Sequence, residues 1–223
     1  NVLSSLISKY NNIKSKLILD EKRETITKSR YISSGQHLIR VDKEELKPIS
    51  VKIENEILKA AESEISRTDA MVLSDYGKGV LTESLLCKLI ELANKKNILT
   101  IVDPNGRDYA KYKGATIVTP NKLELSLATN ESCHTEGEII KASETLIENY
   151  SIKNILVTRS EEGMTLVSLE DEVLSLPSET KEVYDVSGAG DTVVAVLASI
   201  AEDKESFATA ARLSNIAAGL VVS

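Results

Sequence analysis

The sequence has no apolar run approaching the roughly 18 residues that a membrane span needs. Nothing at its N-terminus has the basic-then-apolar layout of an export signal. These two absences point to a chain with no membrane partner and a cytoplasmic address. Cysteine is nearly missing as well, with Cys87 and Cys133 the only two among 223 residues. Two isolated thiols suit a reducing compartment better than a disulfide scaffold. Cys133 adjoins His134, yet no second pair at zinc-site spacing accompanies them, so no structural metal is expected. Gly and Pro number only 10 and 4, too few for a low-complexity chain, while 42% of residues are apolar, enough for a sizeable core. Positive charge is not in excess either: 27 Lys and Arg stand against 34 Asp and Glu, a net charge of −7. That balance excludes a general nucleic-acid binder. It leaves room for a small phosphorylated ligand, which a few local cations can receive. There is no Walker loop, because no Gly-Lys-Ser/Thr follows a glycine turn, and the full dinucleotide fingerprint is absent.

What is present is an alternation of elements. Val2, Leu3, Leu6 and Ile7 have helical spacing. Thr25–Ile32 and Gln36–Asp42, joined through Ser33-Ser34-Gly35, predict a half-polar β-hairpin. An amphipathic helix is expected over Val51–Ser66. Short apolar strands at Ala70–Leu73, Ile98–Val102, Ala115–Val118 and Ile155–Val157 alternate with helices at Thr82–Lys95, from Lys122, and over Glu138–Tyr150. Met164–Leu169 and Asp171–Leu176 read as a second hairpin, followed by helices over Thr192–Ala201 and Ser206–Leu220. Such alternation predicts an α/β fold, a mostly parallel sheet with helices on both faces. In sheets of this kind the ligand crevice lies at the carboxyl ends of the strands. Asp75, Asp103, Asn121 and Thr158 stand at four of those ends.

The most informative stretch is Asp185-Val-Ser-Gly188-Ala189-Gly190-Asp191-Thr192, directly before a strong helix former. Glycine lets backbone approach a ligand closely. The N–H groups of a first helical turn then form an anion site. Asp191 has two readings there. It can be an N-cap or helix-dipole partner worth roughly 0.5–2 kcal/mol. It can also be a carboxylate beside an anion hole, placed to take a proton from a hydroxyl that attacks phosphate.

This stretch resembles the C-terminal signature of the ribokinase-like (PfkB) carbohydrate kinases. Leu73-Ser-Asp-Tyr-Gly-Lys-Gly79, Val102-Asp-Pro-Asn-Gly106, Tyr112-Lys-Gly-Ala-Thr116, Thr119-Pro-Asn-Lys-Leu-Glu124 and Val157-Thr-Arg-Ser-Glu-Glu-Gly-Met164 follow in the family's order. Together with the hairpin they resemble the members that act on D-glycero-β-D-manno-heptose 7-phosphate in ADP-heptose synthesis. The resemblance implies a three-layer α/β/α ribokinase-like fold with a small β lid at residues 24–42. It implies ATP-dependent transfer to the anomeric hydroxyl, giving the 1,7-bisphosphate. Asp191 would be the base, and Gly188, Ala189 and Gly190 the anion hole. Asn121 and Glu124 match the Asn-x-x-Glu element that handles Mg²⁺ and nucleotide phosphates, and Thr158, Ser160 and Gly163 match the loop beside ATP. Asp103 sits near the site. Lys28, Arg30, Gln36 and Arg40 on the lid, with Asp75 and Lys78, would receive the sugar phosphate, arginine being the bidentate partner. Lid cations can equally be an edge strand's protection against aggregation. Lids of two subunits would clasp, giving a homodimer.

Against the family pattern, residues 1–223 are expected to form a kinase domain without its N-terminal and extreme C-terminal segments, and without a nucleotidyltransferase domain. His37 and His134 read as surface residues. Two other functions stay open: another ribokinase-like kinase acting on a sugar or nucleoside, or a nucleotide- or sugar-phosphate-binding fragment without turnover. An unphosphorylated acceptor would leave Arg30 and Arg40 with no phosphate to meet.

Overall fold

The computed structural model describes residues 2–33, 36–179, 188–200 and 207–222. Ser34 and Gly35 of the expected hairpin turn, Asp185–Ser187 of the glycine stretch, and the expected helix ends at Ala201 and Ser206 lie outside the described residues.

Helix α1 (Val2–Ile7) is short and exposed. Strands β1 (Thr27–Ser33) and β2 (Gln36–Lys43) pair antiparallel as a hairpin with no buried residue. Then follow α2 (Val51–Glu64), β3 (Ala70–Ser74), α3 (Glu83–Lys95), β4 (Leu99–Asp103), β5 (Ile117–Val118), α4 (Lys122–Thr129), α5 (Glu136–Tyr150), β6 (Asn154–Thr158), β7 (Met164–Ser168), β8 (Leu174–Leu176), α6 (Ala189–Ile200) and α7 (Phe207–Val222). The main sheet has the order β3-β4-β5-β6-β7-β8. Strands β3 to β6 run parallel, and β7 and β8 are antiparallel to their neighbours.

The central strands are continuous apolar runs because both of their faces are covered. Leu73, Val102, Val118, Ile155 and Val157 pack toward α3, α4 and α5, with α2 at the margin. Ile101, Ile117, Leu156 and Leu166 point the other way, against Val193, Val194 and Leu197 of α6 and Phe207, Ala210 and Ala211 of α7. Two cores on opposite faces of one sheet make the three-layer α/β/α architecture that the sequence predicts. No helix among the described residues is long and apolar enough to cross a membrane.

Helix starts follow local chemistry. Ser50 and Thr82 accept from Ile53 N and Leu85 N at the heads of α2 and α3. Thr135 and Glu138 close a capping box that starts α5 two residues earlier than expected. Strand β5 is shorter than its apolar run because Thr116 takes part through its side chain. The Thr116 hydroxyl accepts from Thr100 N at 3.0 Å, and Thr116 N donates to the Thr100 hydroxyl at 2.8 Å. Helix α6 begins at Ala189, three residues before the expected Thr192, which puts Gly190 and Asp191 inside its first turn.

Candidate functional site

Because β3 to β6 are parallel and β7 returns from β6, the ends of β3, β4, β5 and β6 and the start of β7 share one edge of the sheet. Gly188 turns the chain there at φ +85°. Its carbonyl accepts from Thr192 N at 2.9 Å and Thr192 Oγ1 at 2.8 Å, closing the first turn of α6. The leading N–H groups of a helix have no intrahelical acceptor. Here they belong to Ala189, Gly190 and Asp191, and Asp191 is exposed.

Facing this turn, Asn121 heads α4 in a capping box. Its Oδ1 accepts from Glu124 N, and Glu124 Oε2 accepts from Asn121 N, both at 2.9 Å. The box holds Glu124 in one rotamer and leaves Oε1 without a hydrogen bond among the described residues. Asn121 also bridges to Thr158 at the end of β6. A small cavity of about 100 Å³ lies between these pieces, lined by Asp103, Thr119, Asn121, Glu124, Thr158 and Gly190. It adjoins a larger one of about 380 Å³, whose walls include Asn121, Thr158, Ser160, Gly163, Ala189 and Gly190. The far wall of the larger cavity is α7, where Asn215 donates to the Pro177 carbonyl at 2.7 Å.

The small cavity is electrostatically tense. Burial pushes the Asp103 carboxyl upward; the Ser74 hydroxyl opposes this, and the neighbouring Asp191 and Asp75 push it further up. Burial also raises Glu124, against the stabilising Asn121 N–H, with Asp103 adding to the rise. A carboxyl raised on folding destabilises the native state once pH exceeds its unfolded value, and fully so above its folded value. Asp103→Asn is therefore expected to raise the melting temperature of the unliganded protein at pH 7. The gain should shrink as pH falls and vanish below about 4, the ordinary aspartate value. Melting curves across pH check this, and a gain that grew toward acid would contradict it.

Asp75 is drawn into the scaffold. Its Oδ1 accepts from Gly77 N at 2.8 Å, and its Oδ2 accepts from Lys111 Nζ at 2.6 Å and Tyr112 Oη at 2.7 Å. The residue is buried, and these bonds tie the turn 75–79 to Lys111 and Tyr112. Lys78, expected to be a phosphate receiver, is paired with Glu44 at 2.7 Å. Lys28 and Lys78 line a third cavity, of about 410 Å³, with Ser74, Asp75, Tyr76 and Leu81. On the hairpin Lys28 stands opposite Asp42 and Arg30 opposite Arg40. Arg40 Nε is held by Asp42 at 3.0 Å. Arg30, Gln36 and Arg40 are exposed farther out along the strands.

The structure thus brings Gly190, Asp103, Asn121, Glu124 and Thr158 to one cavity and sets Lys28, Asp75 and Lys78 around the third. It adds Lys111, Glu44 and Asn215, which no motif of the sequence singles out, and it gives Tyr112, the first residue of a quoted motif, a partner in Asp75. For Asn215 a signal existed: Ser214-Asn215 is a polar pair that falls, by helical spacing, on the same stripe as Phe207, Ala210, Ala211 and Ala218.

Both the sequence and the fold have known relatives. The pattern of the pfkB family carbohydrate kinases matches residues 5–223. The chain is 41% identical over 220 residues to the bifunctional protein HldE of Rhodospirillum rubrum, covering 99% of this chain and 44% of that one. It is 44% identical over 220 residues to HldE of Acidiphilium cryptum, covering 99% and 45%. The chain therefore spans less than half the length of these relatives. Among solved structures, Arabidopsis thaliana ribokinase complexed with ribose and ATP superposes with a TM-score of 0.66 at 21% identity, over 85% of this chain and 60% of that one. Phosphofructokinase-2 from Escherichia coli in complex with potassium gives 0.67 at 21%, over 85% and 61%. At this identity the two likenesses speak for the fold.

Proposed function

Because the chain belongs to the pfkB family of carbohydrate kinases, we propose that it transfers the terminal phosphoryl group of ATP to the anomeric hydroxyl of D-glycero-β-D-manno-heptose 7-phosphate. The observation that carries this reading is the meeting of the α6 N-terminus with Asp103, Asn121 and Glu124 around one cavity. Phosphoryl transfer asks little covalent chemistry of a protein. It asks for neutralised phosphate charge, an in-line hydroxyl and exclusion of water.

Each demand has a residue. The N–H groups of Ala189, Gly190 and Asp191 receive the γ-phosphate oxygens, aided by the positive end of α6. Asp191 accepts the proton of the C1 hydroxyl as its oxygen bonds to phosphorus, the bond to the bridging oxygen breaks, and ADP departs. Thr158, Ser160 and Gly163 border the nucleotide in the larger cavity. Magnesium fits the small cavity by donor type: hard oxygen ligands, with crowded carboxyls that a cation would relieve. Glu124 and Asn121 would hold it, directly or through water, and it would supply charge neutralisation on the β- and γ-phosphates. Lys28 and Lys78 receive the 7-phosphate, with Arg30, Gln36 and Arg40 reaching it as the lid closes. The hairpin's other face exposes Tyr31, Ile39 and Val41, which suits cover by the lid of a second copy. A reaction that consumes ATP and builds a nucleotide-sugar precursor belongs in the cytoplasm.

Release of ADP with heptose 7-phosphate, set against unphosphorylated heptose, ribose, fructose and adenosine, tests the reading. Turnover with the phosphorylated sugar at least about a hundredfold above the others is expected, a gap of ~2.7 kcal/mol, within reach of charge-assisted phosphate contacts. Equal turnover of an unphosphorylated acceptor favours another ribokinase-like kinase. No turnover with any acceptor favours a binding fragment.

A further inference from the structure

The hairpin has no buried residue of its own, so its direction must be set at its base. One side chain dominates there. Arg23, four residues ahead of β1, donates from Nη1 to the Lys47 carbonyl at 2.6 Å and from Nη2 to the Glu45 carbonyl at 2.6 Å. The same Nη2 donates to the Lys78 carbonyl. A single guanidinium thus joins the stalk entering the hairpin, the stalk leaving it, and the loop after β3. Two further ties lie beside it. Ile49 N donates to the Gly79 carbonyl at 2.8 Å, and Glu44 pairs with Lys78. Gly79 sits at φ +77°, where a Cβ would stand within 2.7 Å of the Lys47 carbonyl carbon, so the two backbones touch. The loop is in turn fastened to the sheet edge through Asp75, Lys111 and Tyr112.

Three converging carbonyls form a strongly negative pocket. A planar guanidinium with five N–H donors fits it, whereas an ammonium on a flexible stem reaches fewer acceptors in fixed directions. Building on the proposed function, we propose that Arg23 is a positioning residue for the sugar-phosphate half of the site. It fixes the angle between the lid and the loop after β3, and so holds Lys28 and Lys78 around one cavity. Arg23 does not touch substrate in this arrangement and acts through the two lysines. The nucleotide half, built on α4, α6 and the loop after β6, is independent of it.

The test uses the full chain with Arg23→Ala and Arg23→Lys. Misplacing substrate-holding groups by about an ångström costs up to 10²-fold, so Arg23→Ala is expected to raise KM for the sugar phosphate at least about tenfold. KM for ATP should stay within about twofold, since no nucleotide-facing group has moved. Arg23→Lys keeps the charge and loses the fan of donors, so it should follow alanine rather than the parent, and it serves alone if the alanine variant does not fold. Amide exchange in the unliganded protein gives a reading that needs no substrate. The Ile49 and Gly77 amides should exchange at least about tenfold faster in the variants, with those of β4 and β6 unchanged. Unchanged Ile49 exchange, sugar and nucleotide KM rising together, or full rescue by lysine would each overturn the proposal. A parent chain that turns over no sugar phosphate would sink the proposed substrate instead, and the exchange arm would still decide the clamp.

Discussion

Asp191→Asn is expected to lower kcat by about 10²- to 10⁴-fold, the usual contribution of a positioned general base. It should leave KM for ATP within about threefold, because the backbone donors that meet the phosphate are untouched. Asparagine keeps the size and the hydrogen-bonding oxygen of aspartate and loses the proton acceptor. The side chain is exposed in the first turn of α6, so folding loses only a helix-dipole interaction of about 0.3–1 kcal/mol. The two readings of Asp191 therefore separate cleanly. A dipole partner alone would cost a slight drop in melting temperature and almost no turnover. A base would cost nearly all turnover and almost no stability. Steady-state kinetics beside denaturant unfolding of the same variant decides between them, and turnover within tenfold of the parent would remove Asp191 from the base role.

Gly163→Ala should be the most damaging single substitution near the nucleotide cavity. Gly163 has φ +93° and ψ −131°, a region left almost wholly to glycine. A Cβ there would stand on the Leu176 carbonyl oxygen and within 2.6 Å of the Pro177 carbonyl carbon and 2.7 Å of Ser178 N. These neighbours are backbone and cannot rotate away. The strained dihedral and the forced shift together are expected to cost about 3 kcal/mol, a large share of a typical total of roughly 5–15 kcal/mol. The loop is closed by Arg159 N to the Gly163 carbonyl at 2.8 Å and Gly163 N to the Ser160 carbonyl at 3.1 Å. Opening it moves Thr158 and Ser160, so KM for ATP should rise at least about tenfold while KM for the sugar phosphate changes little. A variant with the parent's unfolding midpoint would show that the loop relaxes freely and that the glycine is dispensable.

The layered fold was legible in the sequence where local chemistry and burial agree. Ile101 and Val102 are adjacent and both fully buried, on opposite faces, and a run apolar at every position marks a strand covered twice. Thr82 marked the start of α3 because its hydroxyl caps that helix. The start of α6 was harder to read. Glycine discourages a helix interior but costs little in a first turn, so Gly190 did not delay the helix to Thr192. Within the site, Asn121 and Glu124 are legible through their resemblance to the Asn-x-x-Glu element, and the capping box that joins them is the structure's addition. The partners of Asp75 lie 36 and 37 residues away at Lys111 and Tyr112, and only the order of the strands makes them neighbours. The same holds for Lys78 and Glu44, 34 residues apart. Arg23 was invisible for a deeper reason: its acceptors are backbone carbonyls, and every sequence has those.

The account rests on the first turn of α6 holding the terminal phosphoryl group across from Asn121 and Glu124. A crystal structure with Mg²⁺ and a non-hydrolysable ATP analogue measures this directly. The γ-phosphate oxygens should lie within about 3.1 Å of the N–H groups of Ala189, Gly190 or Asp191, with the metal on the Glu124 side of the phosphates. A triphosphate whose terminal group points away from α6, or a metal held with no link to Glu124, would contradict it.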